Sequence, residues 1–144
     1  MKKVALASDH AGFELKEKIK VLLADNGMQF IDFGTSSTAS CDYADYAHPM
    51  ADSVEKGECD FGISVCGSGN GINMTVNKHQ GIRAALCWNK EISSLARLHN
   101  NANICSLPAR FISEQEAKEI VNAFLTTPFE GGRHQTRIDK IPLK

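Results

Sequence analysis

Apolar residues along the chain alternate between two rhythms. Short unbroken runs read as strands buried on both faces, and longer stretches with apolar residues three and four apart read as helices. Residues 2–9, KKVALASD, form the first run, ending near Ser8. Residues 12–27 follow, with Phe13, Leu15, Ile19, Leu22 and Leu23 in a mostly helical spacing and Gly27 as a natural stop. A second strand is expected over 28–34, then a polar loop over 35–45. Residues 48–57 look helical, with Pro49 placed in the first turn, where its missing N–H costs nothing. A third strand, CDFGISVC, spans 59–66 and leads into a glycine loop and a helix through Asn77. A fourth strand is expected over 81–88 and a helix over 89–100. A fifth strand follows over 101–108. Ser113 and Glu116 form a capping-box signature that opens a helix over 113–127. The remaining tail is basic and partly helical.

Strands alternating with helices through short connections predict an α/β fold, a parallel sheet covered on both faces. The 144 residues carry no repeat, linker or low-complexity stretch, so a single domain over 1–144 is expected. A net charge of −1 gives no electrostatic footprint for a nucleic acid or a membrane surface. No apolar run approaches the roughly 20 residues that span a bilayer, and Asp9 and His10 interrupt the first one too early for a signal peptide. A cytoplasmic protein is therefore expected. Five cysteines, an odd number with no C-x-x-C, argue against both a disulfide framework and a zinc ribbon. Cys87 and Cys105 lie in apolar runs and read as small buried hydrophobes, while Cys41 and Cys59 lie in polar surroundings.

In open parallel sheets, ligands bind beyond the carboxyl ends of the strands. That rule selects Ser8, Asp9 and His10 after the first strand, Cys66-Gly67-Ser68-Gly69-Asn70-Gly71 after the third, and the loops after the fourth and fifth. Alternate glycines let backbone N–H groups approach an anion closely. The loop is not a Walker A motif, because no lysine follows until Lys78. Its G-x-G-x-G spacing is not the dinucleotide fingerprint. Ile72 stands where a cysteine phosphatase needs arginine, and Cys66 stands where a nucleophile elbow needs its first glycine. What remains is a thiol beside an anion nest at a helix start, a setting that favours thiolate. A thiolate can take a proton from carbon while N–H donors hold the developing oxyanion. A buried strand end followed by a tight turn gives the same letters without chemistry. Arg133 and Arg137 are spaced i, i+4 in the tail, so a helix presents both on one face. Such a pair fits a phosphate dianion, and it also fits a solvated basic face.

The segments ASDHAGFELK, CGSGNGI, NKHQGIRAALC, RLHNNANI and EGGRHQTRI, in this order and nearly end to end, resemble the type B ribose-5-phosphate isomerases and their relatives acting on allose or galactose 6-phosphates. The resemblance implies a three-layer α/β/α sandwich around a Rossmann-like five-stranded parallel sheet of order 2-1-3-4-5. It implies a homodimer or tetramer, with residues 128–144 packing on a partner subunit and the site shared between subunits. It implies isomerisation of D-ribose 5-phosphate to D-ribulose 5-phosphate through a cis-enediolate, as in pentose phosphate metabolism, without metal or organic cofactor. Cys66 is then the base, and His99 the acid that opens the sugar ring with Asp9 close by. The N–H groups from Gly67 to Gly71 hold the enediolate oxygens and Ser68 assists proton movement. Asn100 binds a sugar oxygen, and His10, Arg110, Arg133 and Arg137 surround the phosphate. Relatives that lack the loop cysteine use a glutamate downstream; Thr75 occupies that helix here, so the cysteine branch fits. Many relatives carry threonine at Ser68, and many carry proline at Ala44, in a loop that borders the sugar. The rival readings are a 6-phospho-aldohexose isomerase, a sugar-phosphate-binding module without catalysis, and a redox sensor at Cys66.

Overall fold

The computed structural model describes residues 2–144. Five strands, β1 (Lys3–Ser8), β2 (Gln29–Asp32), β3 (Phe61–Cys66), β4 (Ala84–Leu86) and β5 (Ile104–Pro108), pair in parallel throughout. Six helices accompany them: α1 (Phe13–Asp25), α2 (Tyr43–Glu55), α3 (Asn70–Val76), α4 (Lys90–Asn100), α5 (Glu114–Thr126) and α6 (Arg133–Ile138). Every residue of β3 and β5 is buried, as unbroken apolar runs require in a sheet covered on both sides.

The strand order is β2-β1-β3-β5-β4, which corrects the expected order 2-1-3-4-5. β4 is the edge strand, three residues long and only half buried. β5 is fully buried and takes the inner place between β3 and β4. The runs 81–88 and 101–108 are similarly apolar, so hydropathy alone does not rank them. Handedness accounts for the layers. Right-handed crossovers place a helix on one face when the chain moves one way across the sheet, and on the other face when it moves back. Accordingly α1, α4 and α5 cover one face, packed on Val4, Leu6, Ile63, Val65 and Leu107. The helices α2 and α3 cover the other, packed on Ala5 and Ala7. In β1 the large side chains thus face three helices, while the two alanines let α2 approach closely.

Three local expectations also shift. Helix α2 starts at Tyr43, five residues earlier than expected, so Pro49 sits inside the helix. Its missing N–H leaves the Asp45 carbonyl without its helical donor. Cys59, expected in polar surroundings, is buried at 1% exposure in the core beside α2. The tail forms α6, whose His134 and Ile138 face inward, with Arg133 and Arg137 exposed. Among the described residues no helix is long and apolar enough to cross a membrane.

Among the buried polar groups, one is a lysine with no exposed surface. Lys16 on α1 is fully buried, and its Nζ donates to both Asp32 carboxylate oxygens at 2.6 and 2.7 Å and to the Thr35 carbonyl at 2.8 Å. All three ammonium protons are thereby used. Burial alone would raise the Asp32 carboxyl; hydrogen bonds from Lys16, the Gly34 N–H and Lys20 outweigh that and hold it below its ordinary value. The pair ties α1 to the end of β2 and to the loop beyond it. Asp32→Asn leaves the Lys16 charge under-compensated and is expected to cost about 3–5 kcal/mol in urea unfolding at pH 7. A carboxyl with a depressed folded pKa stabilises fully above its unfolded value, about 3.9, and loses that contribution as pH falls through the folded value. The gap between wild type and Asp32→Asn is therefore expected to close only below that pH. A gap unchanged at pH 2 would contradict the assignment.

Candidate active site

β1 leads leftward to β2 and β3 leads rightward to β4, so the chain reverses direction across the sheet between β1 and β3. The carboxyl ends of these two strands part around a crevice. A cavity of about 500 Å³ lies there, lined by Asp9, His10, Ala11, Tyr43, Cys66, Gly67, Ser68, Gly71, Arg110 and Phe111. Seven of the residues expected from sequence meet in this one place.

Cys66 closes β3 and is 4% exposed. Its carbonyl accepts from the Ala109 N–H at 2.9 Å, and the Gly67 carbonyl from the Arg110 N–H at 3.0 Å. These bonds knit the glycine loop to the end of β5 and lay the Arg110 guanidinium beside Gly67. Gly69 turns the chain into α3 with φ of +77°, a conformation that side chains disfavour, against Leu86 and the Leu107 carbonyl. The Tyr43 ring lies on Gly71, where any larger residue would collide with it. As a result the backbone N–H groups of Gly67, Ser68, Gly69 and Gly71 have no acceptor among the described residues. The Asn70 N–H is taken by Ser68 Oγ at 3.2 Å, which leaves the Ser68 hydroxyl proton free to donate. The loop therefore presents one thiol, one hydroxyl and several convergent N–H donors to a single cavity.

Asp9 is 8% exposed, and its Oδ1 accepts from the Gly12 N–H at 3.0 Å, so one oxygen remains for a ligand. His10 Nδ1 accepts from the Cys41 N–H at 3.2 Å. An accepting Nδ1 places the ring proton on Nε2, so His10 offers a donor at its other end.

The other expected residues lie elsewhere on the chain. α4 connects two parallel strands, so it runs against them and its last turn, with His99 and Asn100, lies at the amino edge of the sheet. Six residues of β3 at about 3.3 Å each separate that edge from Cys66. His99 is half exposed, and its ring stacks on His134 of α6 with centroids 4.4 Å apart. Asn100 borders a second cavity with Arg83, whose Nε donates to the Asn100 carbonyl at 3.1 Å. Arg133 and Arg137 point outward from α6, one turn apart. Two groups of residues thus exist, at opposite edges of one sheet: Cys66 with the glycine loop, Asp9, His10 and Arg110, and His99 with Asn100, Arg133 and Arg137.

Tyr43, Ala11 and Phe111 are the lining residues that sequence reasoning did not select. Tyr43 begins the helix that was expected to start at residue 48, so it read as part of a polar loop. Phe111 carried no signal beyond its place after the fifth strand. His134 was passed over as a neighbour of the arginines, although its i, i+4 spacing with Ile138 marks an inward face.

The chain is similar to known proteins over nearly all its length. A family model described as Ribose/Galactose Isomerase matches residues 4–141. The ribose-5-phosphate isomerase B of Escherichia coli (strain K12) is 43% identical over 141 residues, covering 98% of this chain and 95% of that protein. A crystal structure of a ribose 5-phosphate isomerase from Thermotoga maritima is 52% identical with a TM-score of 0.96, covering 98% of this chain and 97% of that one. The ribose-5-phosphate isomerase B of Mycoplasma genitalium, solved with bound ribulose-5-phosphate, is 43% identical with a TM-score of 0.93, covering 96% of this chain and 93% of that one. A sheet of this topology, a site at its switch point and this extent of similarity lead to one assignment: the chain belongs to the ribose/galactose isomerase family and is a sugar-phosphate aldose–ketose isomerase.

Proposed function

We propose that the protein interconverts D-ribose 5-phosphate and D-ribulose 5-phosphate, with Cys66 as the base and each site completed by a second copy of the chain. The observation that carries the chemistry is the meeting of Cys66 in one cavity with Gly67, Ser68 and Gly71, whose N–H groups have no acceptor among the described residues. In the open-chain aldose, the Cys66 thiolate takes the proton from C2. The released electron pair forms the C1–C2 double bond, and the C1 carbonyl becomes an enediolate oxygen. Backbone N–H groups of the glycine loop hold that charge without reorganising. A proton passes from O2 to O1 with help from the Ser68 hydroxyl, and the Cys66 thiol returns its proton to C1 as the C2 carbonyl forms. No net redox partner is needed.

The separation of the two residue groups supports the shared site. A five-carbon sugar phosphate cannot reach from Cys66 to His99 across the length of β3, yet ring opening and phosphate binding call for both groups. A second copy, docked so that its α4 and α6 face the cavity, brings His99, Asn100, Arg133 and Arg137 to the glycine loop. Two large apolar side chains that line the cavity, Tyr43 and Phe111, are 39 and 76% exposed in the single chain, which suits burial against another protein surface. Residues 128–144 then pack on their own chain through Ile138 and on the partner through the arginines. His10 and Arg110 meet the phosphate from the side of the cavity, and Arg133 and Arg137 close over it. Residues from Gly67 to Gly71, with Asp9 and Asn100, bind the sugar oxygens.

Cys66→Ala is expected to abolish turnover and solvent-hydrogen exchange at the sugar carbons while phosphorylated sugars still bind. Appreciable residual exchange would remove Cys66 as the base. Arg137→Ala is expected to raise KM for ribose 5-phosphate by tenfold or more, consistent with loss of about 1.5–3 kcal/mol from a charged hydrogen bond; an unchanged KM would refute the phosphate role. Side-by-side kcat/KM on ribose 5-phosphate and allose 6-phosphate decides the substrate, with the pentose expected to be preferred. The shared site is tested by co-refolding Cys66→Ala with His99→Ala chains, each inactive alone. Random pairing gives half mixed dimers with one intact site of two, so roughly a quarter of wild-type activity is expected to return. No recovery in verified mixed dimers would place the whole site in one chain.

A further inference from the structure

We infer that His134 is a positioning residue for His99: a buried ring, stacked on its face, that fixes the plane of the imidazole opening the sugar ring. This rests on the proposed isomerase reading, in which His99 delivers the proton to the furanose oxygen.

His134 is 6% exposed, in contrast to the half-exposed His99 it covers. The two rings lie 14° from parallel with centroids 4.4 Å apart. The buried Nε2 of His134 has no hydrogen-bond partner among the described residues. The carboxylate of Glu130 comes no closer than 3.9 Å, at Oε1, beyond hydrogen-bond range. Buried nitrogens are ordinarily paired, so the orphan calls for an explanation, and the stacking of the ring on His99 offers one. Burial first, and then the His99 ring, push His134 below its ordinary pKa; Glu130 opposes them, and Arg133 and Arg137 add to the lowering. The shift favours the uncharged ring, which can lie flat against a second imidazole without like-charge repulsion.

The surroundings hold the pair together. Glu130 sends its N–H to the Leu98 carbonyl at 3.0 Å, which clamps the start of the tail to the last turn of α4. Its Oε2 lies 3.9 Å from His99 Nε2, so the same carboxylate faces the reactive edge of the ring. His99 stands at a helix end and its side chain is 42% exposed in the single chain, so its own chain holds it loosely apart from this contact. Stacking removes that freedom on one side. Without the platform the acid adopts many orientations, and an acid misplaced by about 1 Å can lose 100-fold in rate. His99, Glu130 and His134 also qualify by distance as a metal-ligand set. Nearly parallel rings, though, send their in-plane lone pairs side by side instead of converging on one ion.

The inference predicts a split between two reactions of the same enzyme. Ribose 5-phosphate is a furanose, in which the C1–O4 bond must break while O4 gains a proton and O1 loses one. Ribulose 5-phosphate stays open, because the O5 it would need to close a furanose carries the phosphate. Exchange of its C1 hydrogen with deuterated solvent therefore needs Cys66 but no ring-opening acid. His134→Ala is expected to lower kcat/KM for ribose 5-phosphate by about tenfold or more and to leave deuterium exchange into ribulose 5-phosphate within about twofold of wild type. His134→Phe, which keeps a flat ring at the same place, is expected to restore most of the aldose activity. Equal loss of both reactions in a folded His134→Ala protein, no loss of either, or no recovery in folded His134→Phe would each overturn the inference. Exchange that persists in Cys66→Ala would instead overturn the underlying isomerase mechanism, so the two failures read differently.

Discussion

Parallel strands all end at one edge of a sheet, and the helices that connect them all end at the other. That constraint governs the chemistry available to this chain. Loops after β1, β3 and β5 share the carboxyl edge, so Asp9, His10, the Cys66 loop and Arg110 converge without any long-range coincidence. The last turn of α4 belongs to the amino edge by the same rule, and takes His99 and Asn100 with it. No side-chain rotation crosses that distance. In the proposed pair, two copies facing each other in opposite senses set one chain's amino edge against the other's carboxyl edge, so a symmetric dimer holds two equivalent sites.

Within one chain, the precision of the carboxyl edge depends on contacts made away from the cavity. Buried Lys16 grips Asp32 and the Thr35 carbonyl, which fixes where the chain leaves β2. That segment continues to Cys41, whose N–H sets the tautomer of His10, and to Tyr43, whose ring packs on Gly71. A lysine on α1 thus holds the start of the segment that carries both of these contacts. The cost of burying the ammonium is offset because all three of its protons are used. On the far side of the sheet, the Ser64 and Ser106 hydroxyls pair at 2.7 Å and join β3 to β5 just below the loop.

Much of this was legible in the chain order. Buried strands reveal themselves as unbroken apolar runs, because two covered faces leave no polar alternation. The capping box at Ser113 and Glu116 formed as its letters indicate, with both reciprocal bonds present. The glycine loop was recognisable as a turn at a strand end, although its letters alone did not separate an anion nest from a plain tight turn. The start of α2 was not legible, since Pro49 usually marks a first turn and here lies in the interior. The exchange of β4 and β5 was not legible either: two similar apolar runs do not declare which has one neighbour and which has two. Burial of Cys59 depended on α2 lying over it, and no local letter records that.

The sequence by itself determined the α/β class, the five strands, and the residue types able to carry proton transfer and phosphate binding. These follow from local periodicity, loop composition and spacing, which are short-range properties. Tertiary structure alone decided which of those residues share a cavity. It set the order of the strands, divided the candidates between two edges, stacked His134 on His99 and left the loop N–H groups unpartnered. Each of these depends on the direction of the chain through the sheet and on contacts between segments far apart in sequence. A linear pattern specifies neither, because the same letters satisfy their local rules in more than one global arrangement.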